Sequence, residues 1–181
     1  MAQRQLELIK RWIDAEGLFV DPGNMWIFID WPSKLSMGAA MMTVAGRTAY
    51  WDAASGRVLS GTARQVSWAG ASWMMLGGLL PPREGRNALR AALADPAAIR
   101  PSTPYLYRYV VEALIACGDK THALALLESY WGAMIDAGAD TFREVFDPAN
   151  PLSSPYGDIH INSYCHAWSC TPSYFLRNGI I

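Results

Sequence analysis

An all-α fold built from helical hairpins packed side by side is predicted for this chain. Three observations predict it. Apolar residues recur at helical spacing in one segment after another. No stretch alternates polar and apolar residues over a useful length. Cap residues, glycines and prolines stand where helices should begin and end.

Taken in order, Leu6, Ile9, Trp12 and Ile13 share one face of a short amphipathic helix over 3–15. Gly17, Pro22 and Gly23 break it. The run MWIFIDWP is too short for a helix, and Ser33 then caps one through 34–51. Residues 52–56 read as a turn. Ser60 or Thr62 starts a helix over 63–80, rich in Ala, Gly and Ser, which lets a neighbouring helix approach closely. Pro81-Pro82 ends it. A helix covers 84–94. Thr103 as cap and Pro104 at the first helical position open the next, which stops at Gly118. Asp119 or Thr121 caps a helix through 122–137, terminated by Gly138. An irregular segment, 139–162, follows, and a last helix is expected over 165–177. The whole chain, 1–181, reads as one domain, and a chain of this length buries roughly 70% of its unfolded surface.

Composition narrows the function. The net charge is −1, so no basic field draws in nucleic acid or anionic lipid. No apolar run approaches the ~20 residues of a membrane span. The start, MAQRQLELIKRW, is polar and lacks the apolar core of a signal peptide, so a cytoplasmic location is expected. The three cysteines form no disulfide framework. There are 8 Trp and 8 Tyr, a surplus that serves either a core or a binding cleft, depending on where the rings sit.

The segment Cys165-His166-Ala167-Trp168-Ser169-Cys170 gathers thiols, an imidazole, an indole and a hydroxyl. Its spacing leaves open a metal site, a nucleophile with its base, or the wall of a pocket. The first lacks a second ligand pair at zinc spacing. The second is weakened because neighbours on a helix point about 100° apart. On the expected helix the cysteines are small apolar fillers, while His166 and Ser169 share a face. In 138–148, Asp140, Glu144 and Asp147 are interleaved with Phe142, Val145 and Phe146. Trp26, Asp30 and Trp31 supply the same ingredients, and Asn162 adds an amide. Sugars offer C–H faces to aromatic rings and hydroxyls to Asp, Glu, His and Asn. Three loops that each join a polar group to an aromatic favour a polyhydroxylated ligand over core packing.

The stretches WIFIDWPSKL, RQVSWAGASWMML, YWGAMIDAGADTFREVFDP and SPYGDIHINSYCHAWSCTPSYFLR, in this order, resemble the catalytic domain of α-L-rhamnosidases of the six-hairpin glycosidase group. The pairing of His-Ala-Trp-Ser with Gly-Ala-x-Thr-Phe-x-Glu about 20 residues earlier is the most specific part. The resemblance covers 17–180. It implies an (α/α) barrel of six hairpins and cofactor-free, inverting hydrolysis of terminal α-L-rhamnosides, with no metal. It implies Glu144 as general base, and Asp30, Trp31 and His166 in the sugar pocket; Trp26 and Trp168, aromatic neighbours of these residues in sequence, are expected to bind substrate beside them, Trp168 being partly structural. An inverting pair of carboxyl groups stands ~6.5–9.5 Å apart, with the attacking water between them.

The chain departs from that pattern. Twelve barrel helices need roughly 200 residues or more, and six to seven are expected here, so the chain reads as the carboxyl-terminal half of the barrel. No stretch matches the acidic motif that carries the family's general acid. Arg143 stands where the family has Trp, and the segment between Trp31 and Ser60 is short for a helix pair. Two further readings therefore stand beside the enzyme: a degenerate member that binds sugar without cleaving it, and a helical scaffold whose rings are all core. Half a barrel would expose apolar edges, so self-association is expected.

Overall fold

The protein is described by a computed structural model at residues 15, 44–61 and 63–179. The expected helix over 3–15, its last residue apart, and the first part of that over 34–51 lie outside these residues. So do Trp26, Asp30 and Trp31.

The described residues form six α-helices: α1 (Val44–Tyr50), α2 (Trp68–Leu76), α3 (Pro82–Ala94), α4 (Pro104–Ala116), α5 (Lys120–Asp136) and α6 (Thr171–Arg177). Between α1 and α2 lies a small antiparallel sheet in the order β1 (Trp51–Asp52), β2 (Arg57–Ser60), β3 (Gln65–Val66). Trp51 pairs with Val58, and Leu59 with Val66. The turn expected at 52–56 joins the first two strands. Its Asp52 side chain accepts from the Ala54 N–H and the Ser55 hydroxyl, and Gly56 sits at φ 65°.

This sheet corrects two expectations. Residue 51 ends no helix, and α2 starts later than residue 63. Arg64 lies in the left-handed region at φ 47°, which a helix excludes. The cap is Ser67, whose Oγ accepts from the Gly70 N–H at 3.0 Å. Strands of two to four residues are too short to print a period-two pattern.

Other signals act as expected. Pro104 opens α4, where its missing N–H costs nothing. Gly118 at φ 77° and Gly138 at φ 81° end α4 and α5. With only Cys117–Asp119 between them, α4 and α5 form a helical hairpin. Leu114, Val110 and Val111 of α4 are fully buried, as are Met134 and Ala123 of α5 and Leu89 of α3. Small residues bring α2 and α3 together: a Cβ at Gly85 would lie 2.2 Å from Met75 Sδ. Arg86 donates two hydrogen bonds to the Cys117 carbonyl, and Arg90 clasps Asp119, so α3 is tied to the α4–α5 turn.

Many of the rings are core. Tyr107 stacks on Tyr130 at 3.6 Å, and Trp131 meets both edge-on. Burial pushes the Tyr107 phenol up to about 12. Among the described residues, no helix is long and apolar enough to cross a membrane.

Candidate functional site

The irregular segment after α5 is ordered by two buried side chains. The Tyr130 hydroxyl donates to the Phe146 carbonyl at 2.9 Å, and the Trp131 indole N–H donates to the Ser169 carbonyl at 2.8 Å. Neighbours on one helix thus hold two stretches that lie far apart in sequence. Val145 and Phe146 are buried beneath them.

The two stretches pair with each other. The Glu144 N–H donates to the Ser163 carbonyl at 2.8 Å, and the His166 N–H to the Phe142 carbonyl at 3.0 Å. The Ser169 hydroxyl donates to the Arg143 carbonyl at 2.7 Å, and the Thr141 hydroxyl to that of Tyr164. This pairing brings Glu144 beside the Ser163–His166 stretch, a relation that their sequence separation hides.

Both carboxylate oxygens of the half-buried Glu144 are engaged. Tyr156 donates its hydroxyl to Oε1 at 2.7 Å, and the Ser163 N–H donates to Oε2 at 3.1 Å. An ionised carboxylate has about four acceptor positions, so room remains for a water. The bond to Glu144 raises the Tyr156 phenol above its ordinary value, because losing that proton would set two negative charges side by side. Sequence reasoning missed this partnership, because Tyr156 and Glu144 are 12 residues apart in an irregular segment.

His166 and Trp168 stack, with ring centroids 4.0 Å apart and planes at 22°. Trp168 continues to Tyr105 of α4 at 5.4 Å. His166 Nδ1 and Trp168 Nε1 are buried, yet have no hydrogen-bond partner among the described residues. Buried polar atoms in that state are rare and ask for a reason.

Several expectations are corrected here. Residues 165–177 are not one helix: Ala167–Ser169 form a single 3₁₀ turn, and α6 begins at Thr171. A helix over the whole range would put Pro172 in its interior, where it lacks an N–H and clashes with the preceding turn. His166 and Ser169 therefore share no helical face. Cys165 and Cys170 are exposed rather than packed, and only Cys117 is buried, where burial raises its thiol. Arg143 turns away from Glu144. Its guanidinium donates to the carbonyls of Ala137 and Pro151 at 3.3 Å and lies over Phe146 and Tyr164. Asp147 accepts from the Ala149 N–H within a local turn, and Asp140 is exposed. A shallow hollow of about 290 Å³, lined by Arg64, Gln65 and Asp95 among others, includes none of these residues. Its one carboxylate, Asp95, is already engaged by the Ala97 N–H and Arg57.

Of the predicted site residues, Glu144, His166 and Trp168 are gathered on the two paired stretches. Asp30, Trp31 and Trp26 lie outside the described residues.

No protein-family model and no curated protein matches the chain. Among solved structures, a rhamnosidase from Klebsiella oxytoca with rhamnose bound is 37% identical over 99% of this chain, with a TM-score of 0.86. This chain is a relative of the rhamnosidases. A GH78 family rhamnosidase of Bacillus sp. GL1 shares the fold at 20% identity and a TM-score of 0.74, over 98% of the chain. The helices of this rhamnosidase relative are accordingly part of an (α/α) barrel. The chain spans 41% of the length of the Klebsiella protein and 23% of that of the Bacillus one.

Proposed function

We propose that this chain is part of a rhamnosidase catalytic domain, corresponding to the carboxyl-terminal half of its barrel. In this reading it serves inverting hydrolysis of terminal α-L-rhamnosides, with Glu144 as the general base. The observation that carries the reading is the 37% identity across nearly the whole chain to a rhamnosidase with rhamnose bound. The geometry of Glu144 supports it: a half-buried carboxylate, held by two donors, that retains acceptor positions.

The chemistry follows from the carboxylate. Glu144 accepts a proton from a water as that water attacks the anomeric carbon from the face opposite the leaving oxygen. A second carboxylic acid protonates the leaving oxygen. That acid is not assigned to any residue of this chain. The stacked, partly exposed His166 and Trp168 offer a ring face to the sugar. Asp30, Trp31 and Trp26 complete the pocket in this reading, and the enzyme works without a cofactor.

The test is release of rhamnose from an aryl rhamnoside, by the chain alone and mixed with the remainder of a rhamnosidase barrel. Turnover that Glu144→Gln abolishes is expected. Turnover that survives this substitution rejects Glu144 as base.

The second reading is a chain that binds sugar without cleaving it. It is favoured by the departure at Arg143, which stands where the family has Trp before the glutamate. Rhamnose titration followed by Trp fluorescence separates the two: saturable binding with no turnover in either assay selects this one.

A further inference from the structure

From the loop geometry we infer that Tyr156 is the positioning residue of Glu144, and that Asn162 sets both halves of the clamp. The inference rests on the reading of Glu144 as the sugar-facing carboxylate.

A glutamate side chain has three rotatable bonds, and an unheld carboxylate samples many orientations. Here it is held at both oxygens, by the Tyr156 hydroxyl at 2.7 Å and the Ser163 N–H at 3.1 Å. The two donors come from different parts of the loop, and one buried side chain joins them. Asn162 is 5% exposed. Its Oδ1 lies 2.9 Å from the Ser154 hydroxyl, whose single proton it shares with the Asp158 carbonyl, also at 2.9 Å, and its Nδ2 donates to the Ser153 carbonyl at 3.3 Å. Ser154 Oγ also accepts from the Tyr156 N–H at 3.2 Å. Asn162 therefore pins the turn that carries Tyr156 and is itself the residue before Ser163. The two donors keep a fixed relation to each other, and the carboxylate plane follows. Preorganisation of this kind lowers the entropy cost of presenting the carboxylate to a ligand.

The experiment uses the full chain with rhamnose as probe and tyrosine labelled with ¹³C at Cζ. Tyr156→Phe assigns the Tyr156 resonance by its loss. In Glu144→Gln the ionisation midpoint of Tyr156 is expected to fall, because the neighbouring charge is gone. Tyr156→Phe is expected to weaken rhamnose binding about 3- to 10-fold, the size of one lost hydrogen bond. In a Glu144→Ala background, which removes the acceptor that Gln would keep, the same substitution is expected to change rhamnose affinity no further. Asn162→Ala should reproduce the loss, with Tyr156 still present.

An unchanged Tyr156 midpoint in Glu144→Gln overturns the contact itself. An unchanged rhamnose affinity in Tyr156→Phe, or a full-sized loss that persists in the Glu144→Ala background, overturns the positioning role while leaving the sugar site standing. Absence of rhamnose binding by the parent chain, with the Tyr156 midpoint still responsive, rejects the sugar-site reading, and the positioning role falls with it.

Discussion

The indole N–H of Trp131, on the buried face of α5, donates to the carbonyl oxygen of Ser169 across 38 residues of chain. Both residues are at most 2% exposed. This bond anchors the His166–Trp168 stretch to the helical body. Trp131→Phe keeps most of the ring and removes the donor, leaving a buried carbonyl with one partner fewer. A loss of about 1–2 kcal/mol is expected in urea denaturation, with weakened rhamnose binding in the folded protein. A variant as stable as its parent would mean that the anchor contributes nothing.

Acid stability should depend on Asp119. Its side chain is buried and hydrogen-bonded by Arg90, then by His122, and these partners hold its carboxyl at about 2. The unfolded value is near 3.9. The folded value is the lower of the two, so the stabilisation is fully present above about pH 4. It fades as pH falls toward 2. The contribution is on the order of 2 kcal/mol. Denaturation midpoints measured from pH 6 to pH 2 should show a step in this window that Asp119→Asn flattens. At pH 6 the Asn variant should be the less stable, because Arg90 loses its carboxylate.

Packing between α2 and α3 should tolerate no side chain at Gly85. The added Cβ of Gly85→Ala would meet Met75 Sδ at 2.2 Å and Cγ at 3.1 Å. Alanine favours a helix over glycine by about 1 kcal/mol, but forcing a buried side chain from its place costs about 1–3 kcal/mol. A net loss is expected in thermal denaturation. In the Met75→Ala background only the Cβ contact at 3.3 Å remains, so Gly85→Ala should there be neutral or stabilising.

Self-association is expected through α5. Leu124 and Ile135, 40% and 62% exposed, stand eleven residues apart and thus on nearly one helical face. Light scattering at tens of micromolar should give a mass above that of one chain, and Leu124→Lys with Ile135→Lys should lower it. A parent chain that scatters as a monomer would contradict the prediction.

Much of the helical framework was legible in the residues. Pro104, Gly118 and Gly138 mark the ends of α4 and α5 because their effects on φ and on backbone donors act within a turn. The residues of His-Ala-Trp-Ser and of Gly-Ala-x-Thr-Phe-x-Glu were legible as a resemblance, and the rhamnosidase structures bear it out. The start of α2 was not, because Ser60, Thr62 and Ser67 are all competent caps, and only the strand pairing of Gln65 with Ser60 selects the last. The helix expected over 165–177 starts only at Thr171, because Pro172 has no N–H to donate and is tolerated only in a helix's first turn.

The sequence alone determined where α3, α4 and α5 run, since capping and amphipathic spacing are local properties written within a few positions. The tertiary structure alone decided what Glu144 touches. Its partners Tyr156 and Ser163 lie 12 and 19 residues away in an irregular segment. No periodicity links residues across such a loop, and only the packing of Tyr130 and Trp131 against it brings them within hydrogen-bond reach.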